Sequence, residues 1–224
     1  MQSTTQAIMV EAPRAPEGGR PIRTHTSESA AVYELPSVLP GRLLMQRGRA
    51  EHYTALSRFH YLCGRPATFA DVWVVYYVPA TPPAPHAGAV LAAVGVLSHP
   101  TLAFAAREQV LGITAMPPRQ RFRFVNRNVR TISRIAVHPT FRSLGVARAL
   151  VRCLIHHCPT RYVEAAALMG HAHPLFEHAG MTAYRSSGVA GELRPVYYLF
   201  DRLRDGVCDE LDDWRSMAAR EGRR

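Results

Sequence analysis

The chain contains no lysine. All 27 of its basic residues are arginine, against 17 Asp and Glu, and the formal net charge is +10. None of that positive charge can be shed near pH 7, and arginine grips phosphate through paired N–H donors. A polyanionic partner follows as one reading, either the phosphates of a coenzyme or a nucleic acid. Solvated charges left by arginine-biased codon usage are the other, and both stay open at this point. Cysteine is scarce: Cys63, Cys153, Cys158 and Cys208 form no CxxC pair and keep no regular spacing. A disulfide or zinc framework is therefore not indicated, and free thiols in a reduced, cytoplasmic protein are expected. Long apolar runs are missing too. The longest, near 87–97, falls short of the roughly 20 residues a membrane span needs, and Met1-Gln2-Ser3-Thr4 lacks the basic-then-apolar start of a secretory signal. No internal repeat is present. His138, His156, His157, His171, His173 and His178 match no standard zinc spacing, so no metal is expected.

What is present suits one globular domain. At 224 residues and 47% apolar content the chain can build a sizeable core with tails to spare. Residues 1–38 are rich in Pro, Ser, Thr and Glu without apolar periodicity, which predicts a disordered or loosely attached arm; the domain is expected over 41–203 and a charged tail over 204–224. Tyr53, Leu56 and Phe59 recur at helical spacing within Glu51–Tyr61, and Gly64-Arg65-Pro66 breaks the pattern. The β-branched and aromatic run Asp71–Val78 and the apolar run Ala89–Ser98 predict a hairpin around the proline-rich segment 79–86. Pro100–Pro118 gives no firm signal beyond some helical character. Arg119–Arg130 carries five arginines interleaved with Phe122 and Phe124. It reads either as a solvated basic strand or loop near a bound coenzyme, or as a surface that stacks on bases and neutralises phosphates. Strands are predicted at 131–137, 163–169, 181–185 and 196–201, and helices at 146–157 and 174–179, the last stopped by Gly180.

The chemistry concentrates in Thr131–Leu150. A strand feeds a helix through His138-Pro139-Thr140-Phe141-Arg142-Ser143-Leu144-Gly145. Such a junction presents backbone N–H groups that have no partner inside the helix, at its positive end, which makes a phosphate receptor. Gly145 permits close approach of a bulky anion and Ala147 keeps the next turn uncluttered. Arg142 adds a charge-assisted bond of about 1.5–3 kcal/mol where shielded. In the helix, Val146, Leu150, Cys153 and Leu154 share one face and Arg148, Arg152 and His156 another, so it can pack on a sheet.

Val137-x-Pro139 followed by Arg142-x-x-Gly145-x-Ala147 resembles the acyl-coenzyme A signature of the Gcn5-related N-acyltransferase (GNAT) superfamily, and Leu175-Phe176-Glu177-His178-Ala179-Gly180-Met181 is similar to a second motif of that family. The resemblance covers about Val72 to Asp201. It implies an α/β (α+β) fold with a mixed, splayed central sheet and helices on both faces. It further implies pantetheine along Ile135, Ala136 and Val137, and the coenzyme diphosphate on Arg142, Ser143, Leu144, Gly145, Val146, Ala147 and Arg148. The implied reaction is direct transfer of an acyl group, acetyl in the first instance, to an amine. One departure stands out: the family's frequent general acid is a tyrosine, and that position here is Phe176.

Other candidates lie outside the signature. His60-Tyr61, at a helix-to-loop junction, either lines an acceptor pocket or closes the helix as an aromatic pair. Ser133-Arg134 places a charge on a central strand, which must be paired or face a cleft; the cleft is the preferred reading. Glu164 is read as an ion-pair partner rather than a base. His60, Tyr61 and Ser133 are therefore the catalytic candidates. Together, His60-Tyr61, Gly64-Arg65-Pro66-Ala67-Thr68, Ile132-Ser133-Arg134 and Leu168-Met169-Gly170 resemble a narrower GNAT branch, some members of which accompany or are fused to ABC-type ATPase regions; this implies an ATPase partner and, as an alternative to catalysis, a non-catalytic module that tunes it. The His-Tyr and Ser-Arg pairs also resemble the phage Mom enzymes, which implies DNA-base modification.

Overall fold

The computed structural model describes residues 31–62, 64–81, 88–185 and 194–206. Its element order is β1 (Tyr33–Leu35), β2 (Gly41–Arg47), α1 (Ala50–Leu56), β3 (Asp71–Pro79), β4 (Val90–Ser98), α2 (Ala105–Val110), α3 (Pro118–Asn128), β5 (Val129–Val137), α4 (Val146–His157), β6 (Tyr162–Ala167), α5 (Leu175–His178), β7 (Thr182–Tyr184), β8 (Val196–Asp201) and α6 (Arg202–Asp205). The strands form one eight-stranded sheet in the order β1-β2-β3-β4-β5-β6-β8-β7. Every neighbouring pair is antiparallel except β5–β6. This is the mixed sheet of the expected fold class.

Strand alternation sorts the core into two layers. Trp73, Val75, Ala93 and Leu97 face α4, whose Leu150, Cys153 and Leu154 bury against them. On the opposite face Val72, Val74, Val94 and Val96 receive Tyr53 and Leu56 of α1. Further along, Val129, Tyr162, Tyr197 and Leu199 pack with Ile113 and with Val125 of α3. Helices thus cover both faces. Gly95 sets the α4 contact distance: a methyl group there would stand 2.9 Å from Leu154 Cδ1 and 3.1 Å from Ile135 Cδ1.

Two expectations need correction. The arm drawn to residue 38 is too long. Tyr33–Leu35 pairs with Leu43–Met45, and the buried Tyr33 hydroxyl lies 2.6 Å from His157 Nε2. Strand β2 was hidden because Arg42, Gln46 and Arg47 dilute its alternation. The basic stretch 119–130 is mostly helix, not strand or loop: Pro118 at the first helical turn pre-sets φ, and Val125 supplies the buried anchor. Residues 1–30 and 207–224, and with them the arm and most of the tail, lie outside the described residues, as do Cys63 and Cys208. Cys153 and Cys158 are both buried. Among the described residues no helix is long and apolar enough to cross a membrane.

Candidate active site

The site begins where two strands part. Strands β5 and β6 are in register only over Val129–Thr131 with Tyr162–Glu164. Beyond that point β5 stays with β4 and β6 with β8, leaving backbone of β5 unpaired on one side. A buried network pins the parting point. Arg107 donates to both oxygens of Glu164 at 2.8 and 2.6 Å, Thr131 Oγ1 donates to Oε1 at 2.7 Å, and Tyr197 donates to Oε2 at 3.0 Å. Glu164 is therefore an ion-pair partner, with no free oxygen for catalysis. Burial, and after it the Glu164 charge, pushes the Tyr197 hydroxyl far above the usual tyrosine range.

A cavity of about 900 Å³ fills the opening. On one wall lies the strand-to-helix loop. Pro139–Phe141 makes a single 3₁₀ turn, Ser143 takes φ +63° and Gly145 takes φ +76° as the N-terminal cap of α4. Arg142, Ser143, Gly145 and Arg148 are exposed, whereas Phe141 and Val146 on either side anchor the loop in the core. The first helical bond runs from Ala149 N–H to the Gly145 carbonyl, 3.0 Å, so the amides of Val146, Ala147 and Arg148 have no acceptor within the helix. A β-carbon on Gly145 would touch nothing within 4 Å, so the space beside this cap is open. Unsatisfied amides, a helix dipole, two exposed arginines and open space fit a diphosphate. The predicted coenzyme residues Ile135, Val137 and Arg142–Arg148 all line this cavity; Ala136 turns its side chain into the opposite core layer.

On the other wall a β-bulge does the aiming. Val96 pairs with Arg134 and Leu97 with Ile132, so Ser133 is the extra residue in β5. That insertion resets the alternation: Ile132 and Ile135 pack toward α4, while Arg134 turns toward α1 and the cavity. Ser98 Oγ donates to the Thr68 carbonyl at 2.6 Å and lies 2.7 Å from Ser133 Oγ. With the Ser98 proton on the Thr68 carbonyl, the Ser133 proton goes to Ser98 or to the Val96 carbonyl at 3.4 Å. Either way the Ser133 hydroxyl retains only acceptor capacity toward the cavity. Arg134 donates from Nε to Tyr53 Oη at 3.2 Å and from Nη1 to the Ser133 carbonyl at 2.7 Å. It faces the cleft, as preferred from sequence.

His60 and Tyr61 border the same cavity, their rings stacked with centroids 4.8 Å apart. Leu62 offers His60 Nδ1 a donor, its N–H at 3.1 Å, and an acceptor, its carbonyl at 3.4 Å. Either tautomer therefore has a partner, and Nε2 can present a lone pair or a proton. Burial lowers the His60 pKa from its ordinary 6.5; the Leu62 backbone partly opposes it, and the Arg134 charge adds the smallest, lowering, effect. The imidazole is thus neutral at pH 7. Phe176 also lines the cavity, packed 5.0 Å from Tyr198, and offers no proton. Sequence reasoning missed Tyr53, read only as an apolar helix residue. A tyrosine at a buried helical position was the available signal, since its hydroxyl must find partners; here these are the Gly64 carbonyl and Arg134. The basic stretch lies elsewhere: α3 precedes β5, the cavity opens at the other end of that strand, and no residue of 119–130 lines it. Among the described residues no cluster of three His, Cys, Asp or Glu could hold a metal.

The sequence profile of the acetyltransferase (GNAT) family matches residues 70–181, half of the chain, and the match spans β3 to α5 with the loop at its centre. The chain belongs to the GNAT family. It is thus an N-acyltransferase of the GNAT type, with acyl-coenzyme A as co-substrate. No curated protein matches it. Solved structures overlap it at low identity. One is the NatC complex bound to Gag peptide and CoA (12% identity, 71% of this chain and 98% of that one, TM-score 0.44). Another is a putative arylalkylamine N-acetyltransferase 7 from the yellow fever mosquito (9%, 80% and 98%, 0.45). An agmatine N-acetyltransferase mutant in its apo form is similar to the same degree (9%, 71% and 99%, 0.43). None of them speaks to the acceptor of this GNAT chain.

Proposed function

We propose that this chain transfers an acetyl group directly from acetyl-coenzyme A to an amine, with the diphosphate on Arg142–Arg148 and the pantetheine arm along Ile135–Val137. The observation that carries the reading is the exposed, left-handed Gly145 cap opening α4 onto the parted strands. The amine lone pair attacks the thioester carbonyl; the C–N bond forms, the C–S bond breaks, and the amine proton ends on the thiolate sulfur. In this scheme neutral His60 takes the amine proton and Tyr61 supplies the thiol proton in place of Phe176. Ser133 is a positioning residue, since its proton is committed to Ser98 or to the Val96 carbonyl. Calorimetric titration with acetyl-CoA, followed by thiol release against an amine panel, tests the reading; no binding at millimolar acetyl-CoA refutes it.

A second reading, a nucleic-acid-binding or DNA-base-modifying protein, has one observation in its favour. Arg119, Arg123 and Arg127 are exposed at four-residue spacing along α3 and so form one stripe. A gel-shift series in rising salt tests it, and no DNA binding at about 50 mM salt refutes it. Nothing in the fold bears on an ATPase partner.

A further inference from the structure

Of the three arginines that border the cavity, Arg142 and Arg148 belong to the coenzyme loop. Arg134 does not. It sits three residues before the end of β5, about 10 Å back along the strand at roughly 3.3 Å per residue, on the side of the bulge that faces α1, His60 and Tyr61. It is half-buried, and its neighbours neutralise none of its charge: a tyrosine hydroxyl, a backbone carbonyl and a histidine already neutral at pH 7. No carboxylate lies within ion-pair reach of it among the described residues, whereas the buried Arg107 and the half-buried Arg121 each have a glutamate; the half-buried Arg130 and Arg202 instead spend their N–H groups on backbone carbonyls away from the cavity. Nη2 and the remaining N–H of Nη1 are uncommitted. A half-buried cation without a counter-ion is costly unless a ligand supplies one.

The rest of the lining points the same way. Arginines and histidines border the cavity, and no Asp or Glu does among the described residues. A cationic acceptor such as a polyamine or a lysine-rich peptide would find no counter-charge there and would meet Arg134. The bulge at Ser133 turns this side chain out of the α4 layer, and Tyr53 and the Ser133 carbonyl hold its plane, so the fork is oriented before anything binds.

We infer that the acceptor is a small primary amine carrying its own carboxylate or phosphate, and that Arg134 binds that anion. The inference rests on the acyltransferase reading and names its substrate class. Acetyl transfer leaves the anion untouched, so the products are the N-acetyl anion and free coenzyme thiol.

The test uses matched pairs with the full chain and acetyl-CoA: amino acids against their primary amides, and aminoalkyl phosphates against the corresponding alcohols. Turnover is read as thiol release, and binding of the amine-free anion to the CoA-bound protein by calorimetry. The anionic member of the preferred pair is expected to lead by at least about tenfold in kcat/KM, the scale of a charge-assisted bond pair. The carboxylate and phosphate arms show which anion fits. Arg134→Gln is expected to raise KM for that acceptor by a similar factor with acetyl-CoA affinity unchanged, and Arg134→Lys to restore part of it. Equal or better turnover of neutral or cationic amines overturns the inference; so does a wild-type protein that binds acetyl-CoA but neither binds nor acetylates any anionic amine, or one that prefers an oligonucleotide. Failure to bind acetyl-CoA at all refutes the acyltransferase reading itself.

Discussion

Gly145→Asp separates folding from coenzyme binding. Position 145 has φ +76° and caps α4. An L-residue in that region costs on the order of 1–2 kcal/mol, with Asp and Asn among the best tolerated. A carboxylate at the helix N-terminus returns about 0.3–1 kcal/mol through the dipole. A β-carbon there touches nothing within 4 Å, so no clash adds to the cost. The net loss is about 1 kcal/mol, a Tm shift of roughly 2–4 °C for a chain of this size. Binding should respond very differently. A carboxylate about 4 Å from a phosphate repels it by up to roughly 4 kcal/mol at an effective dielectric near 20. Screening brings this to about 2–4 kcal/mol, on the order of 30- to 1000-fold in Kd. Gly145→Asn keeps the shape without the charge, so it should lose less. Raising salt should recover part of the Asp deficit and little of the Asn one. Calorimetry with acetyl-CoA at two ionic strengths reads all of this, with thermal melts as the control. A folded Asp variant with wild-type affinity would refute the placement of the diphosphate.

Other consequences are equally concrete. His60→Ala or Tyr61→Phe should lower kcat/KM by about 10²- to 10⁴-fold, the usual range for a lost acid or base, and leave acetyl-CoA affinity unchanged; Ser133→Ala should cost far less, read in the same thiol-release assay. The acid limb of the rate profile should follow His60. The neutral form works, so activity falls as pH drops through a value below 6.5, and Arg134→Gln, by removing the repulsion, moves that limb upward toward 6.5. At the parting of the strands, Glu164→Gln strands the buried Arg107 and should destabilise by about 3–5 kcal/mol in urea denaturation. The double variant Arg107→Met/Glu164→Leu should lose less than the two single losses combined.

Most of the scaffold was legible because its signals are local. Val146–His157 shows apolar residues at helical spacing, β3 and β8 are β-branched or aromatic runs, and β4 is a continuous apolar run, none of which needs tertiary information. The coenzyme loop was legible for a similar reason: a strand, a glycine and an amphipathic helix in sequence define it without distant partners. What stayed hidden depends on long-range pairing. Strand β1 is three residues long and stands only because β2 and His157 receive Tyr33. The arginines of 119–130 mask a helix whose stability comes from Val125 and its neighbours against β5. The bulge at Ser133 is invisible in sequence, since it exists only in register with β4, yet it decides which way Arg134 points. Ser98, a hydroxyl at the end of an apolar strand, was the trace it left.

Hydrogen exchange of the wild-type chain with and without acetyl-CoA gives the most direct reading of whether the loop amides receive the diphosphate. The N–H groups of Val146, Ala147 and Arg148 lack helical acceptors and should exchange fast in the free protein. Saturating acetyl-CoA should slow peptides that cover 142–148 and the β5 end at 135–137, with α3 unchanged. Bound coenzyme that leaves those peptides as fast as before, or protects α3 instead, would contradict the site described here.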